Sequence, residues 1–191
     1  MARITKIVAV MLACVLVLGI AGCDQTKDAN AAISVANGLS QEYAALDEKI
    51  ATLMDEASTA EMTPAGVVPG IAALDEASAK FAERKKIIGQ IKAEFQKIES
   101  YDVADEIKTY ATQQVEIAEL LGQMDDFGIK LIADTKSLYE LIKADSDDTA
   151  KVNELSTSIA EVSQQLSDLD SQVTEKQTAS DAYFIDSGLG R

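Results

Sequence analysis

The chain has no histidine and no tryptophan among its 191 residues. Losing imidazole removes a whole set of chemistries. There can be no Ser-His-Asp triad, no Cys-His pair, no zinc site of the usual kind and no Glu-x-x-His di-iron bundle. Proline is almost absent too. Pro64 and Pro69 sit close together, so the strongest helix breaker is confined to one stretch. Basic residues are scarce: 17 Lys and Arg stand against 32 Asp and Glu, a net charge of −15. Such a surface cannot displace counterions from a polyanion, so nucleic acid is excluded as a partner. The acid excess reads first as a solubility feature. No strand-like alternation of useful length occurs after the first two dozen residues. What dominates instead is Ala, Leu, Glu, Lys, Gln and Asp, the composition of long helices.

The chain opens differently from how it continues. Arg3 and Lys6 make a positive start, and an uncharged apolar run follows from Ile7 to Ile20. That run is about 14 residues, the length of a signal-peptide core and short of the ~20 needed to cross a bilayer as a helix. It ends in Ile20-Ala21-Gly22-Cys23, and polarity changes abruptly at Asp24. An aliphatic residue, two small ones and a cysteine in this order resemble the lipobox of bacterial lipoproteins. The resemblance covers the first 23 residues. It implies cleavage between Gly22 and Cys23, a diacylglycerol on the Cys23 sulfur, and anchorage on the extracytoplasmic face of a membrane by chains such as palmitate. Each buried CH₂ contributes about 0.8 kcal/mol, so several chains on one residue hold durably. Cys14 would leave with the signal, and no thiol would remain for a disulfide. In enterobacteria-like envelopes an Asp after the lipidated cysteine goes with retention at the inner membrane, and Asp24 stands there. With Arg3 and Lys6 removed, about 169 residues remain and the charge becomes about −17. That is enough for one domain with a real core.

The expected organisation is a signal at 1–22, a short tether at 23–27 and one helical domain at 28–191. A first helix from about Asp28 to Ser58 carries Ala32, Val35, Leu39, Tyr43, Leu46, Ile50, Leu53 and Ala57 at spacings of three and four. Residues 59–69 form a connection, with Pro69 tolerated in the first turn of the next helix. A second helix shows Leu74, Ala77, Phe81, Ile88, Ile91, Phe95 and Ile98 and ends near Glu99. Asp102 reads as the N-cap of a third, whose first turn holds Asp105 and Glu106. That third helix has a wide apolar face: Ile107, Tyr110, Ile117, Leu121, Met124, Leu131, Leu138 and Ile142, flanked by Leu120, Phe127, Ile132, Tyr139 and Leu141. A face this wide belongs to a helix with several neighbours. Gly122 and Gly128 weaken it and mark the place for a kink. After Ser146-Asp147-Asp148, a fourth helix shows the narrow seam Val152, Leu155, Ile159, Val162, Leu166, Leu169, Val173, typical of a coiled coil. The fold class expected is all-α, an antiparallel bundle of about four long helices with coiled-coil character, the third central and the fourth peripheral.

Functional candidates are few. The second helix concentrates the basic residues Lys80, Arg84, Lys85, Lys86, Lys92 and Lys97. They read as charges compensated by acidic neighbours, with a second reading as a face for an acidic partner. Asp125 and Asp126 point about 100° apart on a helix and read as solvated surface, not a carboxylate pair. Residues 144–148 fail the calcium-loop pattern and read as caps, so no metal is expected. Tyr183 and Phe184 read as a seal on one end of the bundle. Nothing in the spacing converges Ser, Lys, Tyr or carboxylates, and no cofactor or catalytic residue is expected. The mature domain resembles small helical-bundle envelope lipoproteins of unknown function. The expected role is a non-catalytic interaction or scaffold module, with a protein partner in the envelope and a candidate homodimer contact along helix 152–173. The alternative is a binding protein holding a small apolar or cationic ligand between helices near Gly122–Gly128.

Overall fold

The computed structural model describes residues 25–189, and all four regular elements in that range are helices. They are α1 (Gln25–Ser58), α2 (Val67–Glu99), α3 (Asp105–Lys143) and α4 (Thr149–Asp186). Cys23, Gly22 and the rest of the signal segment lie outside the described residues. The chain is an all-α, four-helix bundle. Contacts fix the directions: Asp75 meets Lys136 while Lys85 meets Asp126, so α2 and α3 are antiparallel. Asp47 and Ala57 of α1 lie level with Asp125 and Tyr139 of α3, so those two run the same way. Gln114 meets Ser180 and Glu116 meets Lys176, so α4 runs against α3.

The helix ends follow local chemistry. Asp148 is the N-cap of α4: its Oδ1 accepts the Lys151 N–H at 2.9 Å, and its carbonyl takes the first intrahelical bond. Pro69 falls in the first turn of α2, where its missing N–H costs nothing. α3 closes in a Schellman motif: the Ser146 N–H bonds the Leu141 carbonyl and the Asp145 N–H bonds that of Ile142, with Asp145 at φ 50°. α4 closes the same way on Gly188, at φ 74°, with Leu189 and Phe184 both buried beside the turn. One expected cap is wrong. α3 starts at Asp105, and the first helical bonds go to the Ala104 carbonyl rather than to Asp102. Val103 is buried, and placing it in the core holds the chain out of the helix for those residues. α1 is already helical at Gln25, ahead of the expected start, which leaves Asp28 in its first turn against the dipole.

The bundle divides into two compact units, and every helix contributes a stretch to each. The first unit comprises residues 45–85 and 123–169. Its core joins Ile50 and Ala57 of α1 to Val67, Ile71, Leu74 and Phe81 of α2 and to Ile132 and Tyr139 of α3. The Tyr139 hydroxyl donates to the Ala57 carbonyl at 2.6 Å, tying α3 to the last turn of α1. The second unit comprises 25–44, 86–122 and 170–189 among the described residues. Its core is organised on Tyr110, whose ring meets Phe95 edge-on at 6.2 Å and Phe184 at 5.2 Å. Phe184 is thus a sealing residue, as expected; Ile185 beside it is 65% exposed. Within this unit α1 turns a different face inward from the one expected. Ala29, Ile33 and Ala36 are buried with Ala32, and Val35 is 50% exposed. A 3.6-residue helix drifts against a strict seven-residue stripe, and the small alanines let α1 approach on the drifted face.

Candidate functional site

The basic residues of α2 are arranged almost entirely by acidic groups. Lys85 pairs with Asp126 and Lys92 with Glu119, both across to α3; Lys80 pairs with Glu83 on its own helix. Lys85 and Lys86 are exposed, while Lys80 and Lys92 are half-buried. Arg84 does not belong to this face at all. It is 4% exposed, and its guanidinium lies inside the first unit. The reason is its register: Phe81, Arg84, Ile88 and Ile91 are three, four and three apart, so Arg84 fills a gap in the core stripe of α2.

Arg84 is the centre of a buried cluster. Its Nε donates to Asp125 Oδ1 at 2.8 Å, its Nη2 donates to the same oxygen, and its Nη1 donates to Asp47 Oδ1. The guanidinium stacks on the Phe81 ring, 4.5 Å from the centroid. Asp125 is 0% exposed, and its Oδ2 has no hydrogen-bond partner. This overturns its reading as a solvated residue. Asp126, one position on, is exposed as expected. Leu121, Asp125, Gly128 and Ile132 recur at four, three and four, which puts Asp125 on the core face. Burial pushes the Asp125 carboxyl up to about 6; the charge and hydrogen bonds of Arg84 pull it down, and Asp47 and Asp126 push it up again.

A second polar link joins α3 to α4. Ser158 Oγ donates to Asp134 Oδ2 at 2.7 Å, and Lys130 Nζ donates to Asp134 Oδ2 and to Ser158 Oγ, each at 2.6 Å. Burial pushes Asp134 up, but the hydrogen bonds from Lys130 and Ser158 outweigh it and hold the carboxyl below its ordinary value. Ser, Lys and Asp therefore do converge here, which the sequence spacing did not suggest. The arrangement does not make a nucleophile. The Lys130 ammonium and the Ser158 hydroxyl both donate to the Asp134 carboxylate, which is held below its ordinary value and is therefore a poor base for the serine proton. In the second unit, Gln114 Nε2 donates to Ser180 Oγ at 2.9 Å with both residues buried.

The ground expected for a ligand is occupied at one of its two glycines. A Cβ on Gly128 would lie 2.5 Å from Phe81 Cζ, because the Phe81 ring occupies the space beside the α3 backbone there. α3 is helical without interruption from Asp105 to Lys143, through both glycines. Among the described residues, no group of three or more Cys, Asp or Glu side chains is placed to hold a metal ion. No described helix is long and apolar enough to cross a membrane. No protein-family model, no curated protein and no solved structure matches this chain.

Proposed function

We propose that this chain is a lipid-anchored lipoprotein of the cell envelope, and that its helical bundle acts on the extracytoplasmic face as a non-catalytic interaction or scaffold module. One observation carries the reading. The positive start at Arg3 and Lys6, the uncharged run Ile7–Ile20 and the sequence Ile20-Ala21-Gly22-Cys23 stand in the order and at the lengths of a lipoprotein signal. Two features of the domain support the non-catalytic half of the proposal. Basic residues of α2 pair with acids of α3 across helices at Lys85–Asp126 and Lys92–Glu119, and where Ser158, Lys130 and Asp134 converge the carboxylate is held below its ordinary value, a poor base for the serine proton. The partner in this reading is a protein of the envelope, met by the bundle's surface. In a cell with two membranes, Asp24 favours the inner one.

The anchor is directly testable. Cells expressing the wild-type chain and grown with radiolabelled palmitate incorporate label into it and retain it in the membrane fraction. The Cys23→Ala variant takes up no label and leaves that fraction. Equal membrane retention of the two forms, with no label in the wild type, disposes of the lipoprotein reading.

A further inference from the structure

Inside the first unit, two carboxylates converge on one guanidinium. Asp47 arrives from α1, Asp125 from α3 and Arg84 from α2. Arg84 cannot surrender its proton at any ordinary pH. It is held from below by the Phe81 ring, which lies in the slot that Gly128 leaves open. The carboxylates are not equivalent. Asp47 keeps some contact with solvent, whereas Asp125 is sealed, uses one oxygen for both of its bonds to Arg84 and has no partner for the other. A buried oxygen without a partner costs most when it carries charge and far less as part of a neutral acid.

We propose that Asp125 is a proton-operated latch: with a proton on it, Arg84 pairs with Asp47 and the three helices are held together at this level; without it, two anions compete for one cation and the level loosens. The charged groups that act on Asp125 are Arg84 from α2, Asp47 from α1 and Asp126 on its own helix, the last held outward by Lys85. No titratable group of α4 among the described residues acts on it. The sign follows from linkage. Asp125 is raised from 3.8 to about 6. Between these values the closed unit keeps a proton that the opened unit gives up. Opening therefore becomes easier as pH rises from about 4 to about 6 and levels off above that. From about pH 5 to about pH 7.5 the opening equilibrium increases about tenfold.

Native-state amide exchange on the full chain, corrected for intrinsic rates, reads this directly. The segments around Arg84 and Asp125 exchange about tenfold faster at about pH 7.5 than at about pH 5. In Asp125→Asn the contrast vanishes. On the wild-type chain, a carbon-detected NMR titration of the Asp125 carboxyl has its midpoint near 6, and Asp47→Asn moves that midpoint down by relieving the competition. An Asp125 midpoint below about 4.5 in the wild type, where no variant has to fold, overturns the latch. So does a midpoint that Asp47→Asn leaves unmoved, or a pH contrast that survives in Asp125→Asn.

Discussion

Single polar residues decide more in this bundle than their number suggests. Arg84, Gln114, Asp125 and Ser180 all sit in gaps of apolar stripes and all are buried with partners. Their costs of removal should differ by what is left behind. Ser180→Ala strands the Gln114 amide N–H in a buried place, which costs about 1–3 kcal/mol. Tyr139→Phe leaves behind only the Ala57 carbonyl, which still accepts the Ala60 N–H at 3.3 Å, so the loss is about 1 kcal/mol or less. Urea unfolding of the two variants beside wild type checks the ranking; a larger loss from Tyr139→Phe would contradict it. The residue scale is also where sequence reading was most exposed to error. Asp125 was legible in principle, since Leu121, Asp125, Gly128 and Ile132 keep helical spacing. A charged residue on such a stripe can be accepted as buried only when its counter-ion is known, and Arg84 lies 41 residues away on another helix.

At the scale of the helix, the two glycines of α3 look alike in sequence and are opposites in the structure. A methyl group at Gly122 would meet nothing within 4 Å, whereas at Gly128 it would strike the Phe81 ring. That ring cannot retreat easily, because the Arg84 guanidinium lies over it and is pinned by two carboxylates. Gly122→Ala should therefore stabilise the protein by up to about 1 kcal/mol through helix propensity. Gly128→Ala should destabilise it by about 1–3 kcal/mol through overpacking. Thermal melts decide this: the two midpoints should move in opposite directions by a few degrees each. The expected existence and order of the four helices needed only periodicity and two prolines. The start of α3 needed the burial of Val103, a tertiary event that no cap preference anticipates.

For the molecule as a whole, the seam of α4 bears on assembly. Leu155, Val162 and Leu169 in the first unit and Val173 in the second are buried within the chain, and Val152, Ile159 and Leu166 beside them are half-buried. With the seam this far covered within the chain, we expect no stable dimer through residues 152–173. Sedimentation equilibrium of the form lacking residues 1–23 should return a monomer. A dimer that Leu166→Gln abolishes would instead place the seam between copies. The acidic excess acts at this scale too. α2, the one helix where bases outnumber acids, meets acids of α3 in both units, at Lys85–Asp126 and Lys92–Glu119. Compensation inside the bundle thus accounts for most of the basic residues that a partner-binding reading would need.

The sequence by itself determined the class of this protein. Helical periodicity over four stretches, with one proline confined to the first turn of α2, leaves an all-α bundle as the way to bury four apolar stripes, and missing histidine closes off the commonest catalytic and metal chemistries. Those are local properties, carried by spacing and composition. Which polar residues go inside was decided only when the helices packed. Burial depends on the neighbour across the interface, and an arginine, a glycine and two aspartates become one buried cluster through a register that links α1, α2 and α3. Periodicity could place each of them on a face, but not the partner that makes its burial tolerable.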